Sequence, residues 1–527
     1  MSPPAADALL TETLAGSREA GLWALIEARA AVSPDAVFLV GEGNLHLTFA
    51  GYRDRAERVA AALASRGVGS GTPVSWMLPT SVEAIVLCGA LARLGVIQNP
   101  VLPIYRERET RFVLGQTGAR ALFVPPKFRG FDYGSMARTL AAESPHLDVY
   151  EIGELPEADP AELPPPPADT EARTTRWVFY TSGTTADPKG ARHTDAALIA
   201  THAGMARALD LRADSRVALV FPVTHVGGVG WLIASFLSGC THIVVPAFVP
   251  DATIPLLARH GVTHAGAGTA FHQAYLAAQR AQPDTPVFPE VVAFPGGGAP
   301  KPPELHFDIQ RELGGVGIVS GYGLTECPIV AMGRVSDPPE QLAHSEGRRN
   351  PATAEIRIVG AAEAECAPGE EGEIRVRGPQ LFKGYLDADL DAAAFDAQGF
   401  LRTGDLGSLD AQGYLRVTGR LKDVIIRKGE NISAKEVEDL LYQHPQVEDV
   451  AVIGLPDPAL GERCCAVVAC SGEVLGFDAM VRFLKDAGLM MQKIPEQLEI
   501  VDRVPRNPAG KLEKQALRER FGSTGAG

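Results

Sequence analysis

A chain of 527 residues is longer than one hydrophobic core normally supports, so the sequence predicts more than one domain. Hydrophobic residues at 46% and charged residues at 21% are typical of a globular protein, and a formal net charge of -15 disfavours binding to nucleic acid or to an anionic membrane. The sequence has no run of eighteen apolar residues, so we expect no membrane span. It has no signal-peptide pattern at its N-terminus and no C-x-x-C pair among its seven cysteines, so we expect a cytoplasmic protein with reduced thiols.

The first 173 residues alternate between helical and strand patterns. Apolar residues recur at helical spacing in three segments, at 20–32, 52–66 and 82–94. Short apolar runs typical of strands lie between and after them, at 36–40, 45–49, 74–77, 96–101 and 121–124. This alternation predicts a parallel, doubly wound α/β sheet. A proline-rich stretch at 154–173 interrupts it, either as a connector between two subdomains or as a plain surface excursion.

An apolar strand, Trp177 to Tyr180, leads into the loop Tyr180-Thr-Ser-Gly-Thr-Thr-Ala-Asp-Pro-Lys-Gly190. Hydroxyl groups and glycine N–H groups can surround anionic oxygens, and Lys189 adds a positive charge. The pattern indicates a phosphate-binding loop, although not the Walker form, because no G-x-x-x-x-G-K-[ST] spacing fits it. A polar turn between two strands is the alternative, since Ser, Thr, Gly, Asp and Pro are the usual turn residues.

Three later strands also end in segments suited to a pocket. The strand at 217–222 is followed by His225 and small residues, although His225 alone is more simply interpreted as a structural histidine. The next glycine run, Gly296–Gly298, either lets a ligand approach the backbone or forms a flexible turn. The strand at 317–320 leads into Gly321-Tyr-Gly-Leu-Thr-Glu326, and ligands bind at such strand ends in open α/β sheets.

The last part of the chain changes character. Short alternating strands near 355–359, 372–377 and 413–418 predict a small antiparallel β unit. Further strands and helices predict a separate α+β domain, so we place the domains at 1–418 and 419–527. The chain lacks the G-x-S-x-G, H-E-x-x-H, G-x-G-x-x-G and kinase signatures, so no nucleophile triad, zinc site or nicotinamide fold is indicated.

Five ordered motifs resemble those of the adenylate-forming superfamily, which includes acyl-CoA synthetases, firefly luciferase and peptide-synthetase adenylation domains. The motifs are the loop 180–190, Gly321–Glu326, Gly372-Glu-Ile-Arg-Val-Arg-Gly378 running to Gly384-Tyr385, Thr403-Gly-Asp405 with Gly419-Arg-Leu-Lys-Asp423, and Pro505-Arg-Asn-Pro-Ala-Gly-Lys511. The segments Gln98–Glu109 and Lys428–Glu436 are similar to those of cyclohexanecarboxylate and medium-chain acyl-CoA ligases.

The resemblance implies two half-reactions. A carboxylate attacks the α-phosphorus of ATP to give an acyl-adenylate and pyrophosphate, and the thiol of CoA then displaces AMP. ATP, Mg²⁺ and CoA are therefore the expected cofactors and co-substrates, and the partners are small molecules and not nucleic acid. A homodimer is one option for the assembly. The resemblance also implies a large N-terminal domain of doubly wound sheets with the small β unit, and a mobile C-terminal α+β lid with a hinge near Lys422.

The resemblance assigns nucleotide-binding roles to motif residues. The β- and γ-phosphates would be held by Thr181, Ser182, Gly183, Thr184, Thr185 and Lys189. Glu326 would bind Mg²⁺, a hard cation that prefers oxygen ligands, and Thr325 would lie near the α-phosphate. Tyr322 would pack against adenine, with Gly297 and Gly298 at its edge. Asp405 would accept hydrogen bonds from the ribose with Arg420 behind it, although this pair alone could be a surface ion pair.

The two steps would use different faces of the lid. In the first step, Lys511 would neutralise charge on the carboxylate and the α-phosphate. Without the resemblance, Lys511 would be interpreted as one more exposed lysine beside a glycine turn. In the second step, Gly429 would line the channel for the CoA thiol. His225 is counted with Lys511, Thr325 and Glu326 as catalytic. The acyl pocket would be formed by Val226, Gly227, Gly228, Trp231, Gly297, Gly298 and Cys327–Ile329.

This candidate acyl pocket contains no lysine or arginine for a second carboxylate and no acid for an amino group, so it favours an apolar tail, such as a medium-chain or alicyclic acid. Two alternatives remain. One is an acyl-AMP ligase that loads a carrier protein, and the other is a non-catalytic protein that binds a nucleotide or an acyl-adenylate.

Overall fold

The first region of the chain has the predicted alternation of helices and strands. The computed structural model describes residues 21–167, 174–181, 188–298, 301–351, 353, 355–427, 430–457, 460–507 and 511–522. The helices of this region are α1 (Leu22–Val32), α2 (Phe49–Ala64), α3 (Val82–Leu94), α4 (Glu107–Thr117) and α5 (Tyr133–Glu143). Its strands are β1 (Val37–Val40), β2 (His46–Thr48), β3 (Pro73–Trp76), β4 (Ile97–Pro100), β5 (Ala121–Val124), β6 (Lys127–Phe128), β7 (Phe131–Asp132) and β8 (Asp148–Glu151).

The next region continues the alternation up to residue 349. Its strands are β9 (Thr175–Thr181), β10 (Lys189–Thr194), β11 (Arg216–Leu219), β12 (Thr241–Val244), β13 (Phe294–Gly297), β14 (Ile318–Leu324), β15 (Cys327–Met332) and β16 (Arg348–Arg349). Its helices are α6 (Asp195–Ala208), α7 (Val226–Ser238), α8 (Pro250–Arg259), α9 (Thr269–Ala281), α10 (Pro303–Glu312) and α11 (Pro339–His344).

A six-stranded sheet with the order β10-β9-β4-β3-β5-β8 lies in this large domain. Its strands run parallel except for β10, which is antiparallel to β9. Two four-stranded sheets, β11-β12-β1-β2 and β13-β14-β15-β16, and the two-stranded sheet β6-β7 lie in the same domain. Helices cover the sheets and bury large side chains such as Trp76 and Trp177, which are 0% and 1% exposed. The predicted doubly wound α/β architecture is therefore confirmed.

The β unit and the C-terminal domain also have the predicted folds. An antiparallel sheet is formed by β17 (Glu355–Val359), β18 (Gly372–Arg377), β19 (Leu401–Leu409) and β20 (Leu415–Arg420), with the short helix α12 (Asp391–Ala394) between β18 and β19. The small domain has the strands β21 (Val424–Arg427), β22 (Glu430–Ser433), β23 (Val447–Asp457), β24 (Gly461–Cys470) and β25 (Gln497–Ile500). Its helices are α13 (Ala434–Leu441), α14 (Phe477–Asp486) and α15 (Lys514–Gly522).

Local structure differs from the predictions at two places near the site. Helix α7 begins directly after His225, in a segment for which small residues indicated only a pocket opening. Strand β14 does not end at Ser320 but continues to Leu324, because it pairs with β15. Within the described ranges, every helix is too short or too polar to cross a membrane.

Candidate active site

The predicted phosphate loop connects two antiparallel strands. Thr181, the last residue of β9, pairs with Lys189, the first residue of β10, so the two side chains flank the loop. The ammonium group of Lys189 lies 5.4 Å from the ring centroid of Tyr385, within the range of a cation–π interaction. The remaining predicted phosphate ligands, Ser182, Gly183, Thr184 and Thr185, lie outside the described residues.

The turn between β14 and β15 carries Thr325 and Glu326 and is held from two sides. Tyr385 donates a hydrogen bond of 2.5 Å from its hydroxyl to Oε1 of Glu326. The backbone N–H of Phe382 donates to the carbonyl of Glu326 at 2.9 Å. On the other side, Nε2 of His193 lies 2.8 Å from the carbonyl of Thr325, so this nitrogen carries the proton. The turn is therefore fixed both by β10 and by the segment before α12.

These supporting groups are buried and keep fixed protonation states. Burial, reinforced by the carboxylate of Glu326, raises the pKa of Tyr385, which therefore remains a proton donor. Burial lowers the pKa of His193 to about 4, so its ring is neutral at physiological pH. Sequence reasoning missed the roles of His193 and Tyr385. The signal was present for Tyr385, which belongs to the third motif.

Glu326 suits a magnesium ion held together with a substrate. Its side chain is buried, at 8% exposure. Among the residues that the structure describes, no three His, Cys, Asp or Glu side chains gather into a metal-binding cluster. Mg²⁺ commonly binds through one or two carboxylates and completes its shell with phosphate oxygens and water. A single buried carboxylate beside a phosphate loop therefore fits that ion.

Asp405 is the centre of a second polar group. Its Oδ2 accepts a hydrogen bond of 2.7 Å from the hydroxyl of Tyr322, and its Oδ1 lies 2.8 Å from Nε of Arg420, its cross-strand partner on β20. The side chain of Asp405 is only 6% exposed, whereas that of Arg420 is 44% exposed. Asp405 is therefore not half of a surface ion pair. Burial and this carboxylate raise the pKa of Tyr322 well above its usual value, so its hydroxyl is a donor.

The glycine run beside Tyr322 is required by the backbone. Gly297 on β13 pairs with Gly321 on β14, and a Cβ at Gly297 would lie 2.8 Å from the carbonyl oxygen of Gly321. Gly298 has a φ of +76°, a conformation that favours glycine. Side chains are thus excluded where the chain passes the predicted adenine position.

His225 caps helix α7 and faces a small cavity. Its Nδ1 accepts a hydrogen bond of 3.1 Å from the N–H of Gly227, so Nε2 carries the proton. The cavity is lined by Tyr105, Tyr180 and Thr325, among others. Burial, with the positive charge of Lys511 as a further cause, lowers the pKa of His225 to about 3. The ring is therefore neutral and offers a hydrogen-bond donor.

Lys511 reaches this site from the small domain. Its pKa is lowered by burial and then by the cation of Arg420, while the carboxylates of Asp405 and Glu326 act in the opposite direction. The fold therefore brings Lys511 into the electrostatic environment of Arg420, Asp405 and Glu326, which precede it by 91 to 185 positions in the sequence. The predicted hinge residue Lys422 lies in a short turn, Leu421–Asp423, directly after β20. Gly429 lies outside the described residues.

Apart from Gly297 and Gly298, at the end of β13, the predicted acyl-pocket residues lie on two elements. Val226, Gly227, Gly228 and Trp231 belong to the first two turns of α7, and Cys327–Ile329 begin β15. A Cβ at Gly228 would lie 2.2 Å from the carbonyl oxygen of Pro222. The glycine at this position is therefore required for packing of the helix.

Comparison with known proteins agrees with this geometry. The AMP-binding enzyme family model matches residues 26–386, and the AMP-binding enzyme C-terminal domain model matches residues 436–511. The chain is 31% identical over 526 residues to the medium-chain fatty-acid–CoA ligase of Escherichia coli, covering 96% of this chain and 92% of that protein. It is 32% identical over 497 residues to the salicyl-AMP ligase/salicyl-S-ArCP synthetase of Mycobacterium tuberculosis, covering 91% and 86%.

A solved structure has the same fold over nearly the whole chain. It is the o-succinylbenzoate coenzyme A synthetase from Bacillus subtilis in complex with ATP and a magnesium ion, with a TM-score of 0.81, 27% identity, and coverage of 94% of this chain and 98% of that one. The resemblance inferred from the five motifs is thus confirmed. The chain belongs to the AMP-binding enzyme family and is an ATP-dependent, adenylate-forming acyl or aryl ligase of the AMP-forming acid–thiol type.

Proposed function

We propose that the protein is a carboxylic acid–CoA ligase that forms an acyl-adenylate and then a CoA thioester from a medium-chain, alicyclic or other apolar acid. The observation that carries the proposal is the position of Lys511 in the electrostatic environment of Glu326 and Asp405. Attack of a carboxylate on the α-phosphorus brings two anions together. A cation delivered to that point lowers the barrier by neutralising charge that develops there.

The chain's own residues divide the work of adenylation. Thr181 and Lys189 would hold the departing pyrophosphate, together with the hydroxyls of the loop between them. Mg²⁺, when bound at Glu326, would neutralise charge on the phosphates. Thr325 would hydrogen-bond near the α-phosphate, and Lys511 would hold the attacking carboxylate against it. Positioning of this kind supplies most of the catalysis in phosphoryl-type transfers.

The nucleoside would be held by the group around Asp405. Its buried carboxylate has two fixed neighbours, Tyr322 and Arg420, which orient it for the ribose hydroxyls. The ring of Tyr322 would pack against adenine, and Gly297 and Gly298 would leave the backbone close to the base edge. A carboxylate oriented by two donors needs no rearrangement when the ribose binds, which favours affinity.

An apolar acid fits the candidate pocket best. Among its described members no side chain is charged, and Trp231 supplies a large apolar surface. The similarity to a medium-chain fatty-acid–CoA ligase supports this substrate class. For the second step, the small domain would rotate about Lys422, withdraw Lys511 and bring Gly429 to the thiol channel. We place the domain division at 418/419, beside this hinge.

A carrier protein is the alternative thiol acceptor, because one similar protein is a salicyl-S-ArCP synthetase. Pyrophosphate exchange measured with a panel of apolar, aromatic and charged acids identifies the substrate class, and AMP release with and without CoA identifies the acceptor. Exchange with apolar acids and CoA-dependent thioester formation support the proposal. Exchange without any CoA thioester would favour the carrier-protein ligase, and no exchange with any acid would favour a non-catalytic binding protein.

A further inference from the structure

Lys511 stands at the end of a closed hairpin. The N–H of Asn507 donates to the carbonyl of Lys511 at 2.8 Å, and the N–H of Lys511 donates back to the side-chain Oδ1 of Asn507 at 3.0 Å. Directly outside this pair, Arg506 and Leu512 form an antiparallel bridge, and the N–H of Glu513 donates to the carbonyl of Pro505 at 2.9 Å. One of the bonds that close the hairpin at Lys511 therefore comes from a side chain.

The first strand of this hairpin is anchored by a buried fork. Arg506 donates from Nε to Oδ2 of Asp449 at 3.0 Å and from Nη2 to Oδ1 at 2.7 Å. The two side chains are only 14% and 16% exposed. The hydroxyl of Tyr442 also donates to Asp449 and accepts from Nη2 of Arg506. A bidentate arginine–carboxylate pair fixes orientation as well as distance, so it holds the backbone of Arg506 against β23.

The chain directly after the second strand is anchored as well. Lys514, the first residue of α15, forms an ion pair of 2.7 Å with Glu438, and the side chains are 13% and 7% exposed. Oε1 of Glu438 also accepts a hydrogen bond of 2.7 Å from the N–H of Val452 on β23. The two ends of the hairpin are therefore tied to β23, one directly through Asp449 and the other through Glu438 on α13, and Asn507 closes the hairpin between them.

We propose that Asn507 and the Arg506–Asp449 pair are positioning residues that fix where Lys511 places its ammonium group during adenylation. The proposal rests on the catalytic role proposed above for Lys511. A lysine side chain is flexible, so its charge reaches a defined point only if its backbone is fixed. A misplacement of about 1 Å in a reacting group can cost about 100-fold in rate.

The test measures adenylation by Asn507→Leu, which removes the Oδ1 acceptor, and by Arg506→Gln, which removes the fork. The matched control is Arg463→Gln, because Arg463 is 16% exposed in the same domain and bonds to Gln497 and to the carbonyl of Pro456, away from the hairpin. We expect kcat for adenylation to fall about 10- to 100-fold in both test variants with KM for ATP unchanged. The melting temperature should be unchanged in Asn507→Leu and lowered in Arg506→Gln, which leaves the buried carboxylate of Asp449 without its ion-pair partner. Asn507→Asp keeps the acceptor and should restore most of the rate.

A double variant separates positioning from a general loss of structure. If Asn507 acts through Lys511, then adding Asn507→Leu to Lys511→Ala should cause no further loss of adenylation. A full additional loss in that background would overturn the proposal, and so would rates for both test variants equal to that of Arg463→Gln. Normal adenylation by Lys511→Ala would instead refute the role of Lys511 itself. If Arg506→Gln fails to fold, Asn507→Leu, which leaves the ion pair in place, decides the test alone.

Discussion

Tyr385→Phe tests whether the buried hydroxyl of Tyr385 orients Glu326 for magnesium. The substitution removes only the oxygen that donates to Oε1 of Glu326. The ring should keep its edge-on packing against Phe382, at a centroid distance of 4.8 Å, and its position below Lys189. The phosphate loop and the fold are therefore expected to survive, and the change is confined to the carboxylate.

The expected magnitude follows from burial. Tyr385 and Glu326 are 5% and 8% exposed, so water does not easily replace the lost donor. A hydrogen bond to a charged group contributes about 1.5–3 kcal/mol, and loss of a partner that orients a metal ligand typically weakens metal binding about 10- to 100-fold. We expect the dissociation constant of the divalent ion in the enzyme–ATP complex to rise by about tenfold or more.

The assay is a titration of Mn²⁺, as a paramagnetic substitute for Mg²⁺, into the enzyme with ATP, followed by electron paramagnetic resonance. Mg²⁺ dependence of pyrophosphate exchange gives a second readout. Tyr414→Phe is the control, because Tyr414 is also 5% exposed and donates a comparable bond of 3.0 Å to Asp337. Unchanged Mn²⁺ affinity in folded Tyr385→Phe, or an equal loss in Tyr414→Phe, would refute the reasoning.

Two further predictions concern stability. Burial lowers the pKa of six histidines from 6.5 to about 4, or to about 3 for His225; they are His193, His202, His225, His242, His272 and His306. As pH falls below 6.5, the unfolded chain binds protons at these histidines before the folded chain does. Each histidine should therefore lower the free energy of unfolding by about 1.4 kcal/mol per pH unit between pH 6.5 and its folded pKa. Equal denaturant midpoints at pH 7.5 and pH 5, measured by tryptophan fluorescence, would contradict this. Gly323→Ala should lower the melting temperature and the activity, because the new Cβ would lie 2.0 Å from the carbonyl oxygen of Pro328. The control is Gly360→Ala, which should be tolerated because the nearest atom to its Cβ, Sγ of Cys366, would lie 3.4 Å away. Equal melting temperatures for the two variants would contradict this prediction.

Local signals made much of the fold predictable. Helix α3 was predicted with the bounds that the structure has, because Ser81 caps its first turn and Gly95 ends it with a φ of +67°. Helix α7 was missed because three of its first five residues are glycines, which have low helix propensity. Its glycines are retained for packing, since a Cβ at Gly230 would overlap the ring of His202. Such tertiary requirements leave no periodic pattern in the sequence.

The site was predictable residue by residue but not as a set of contacts. The motifs identified Tyr322, Asp405 and Arg420, and the structure adds that the carboxylate of Asp405 bonds to both of the other side chains. The bond between Tyr385 and Glu326 joins residues 59 positions apart, and it depends on the pairing of β10 with the segment 383–386. Register between distant segments is set by the whole fold, so no local pattern could indicate that contact.

The measurement that tests the central claim most directly is the rate of each half-reaction in Lys511→Ala. Adenylation is followed in a single turnover with ATP and an apolar acid, and the second step is followed by supplying the acyl-adenylate with CoA. Because Lys511 is proposed to act only on the carboxylate and the α-phosphate, adenylation should fall by at least about 100-fold while thioester formation stays near the wild-type rate. Equal loss of both steps, or adenylation at the wild-type rate, would contradict the account.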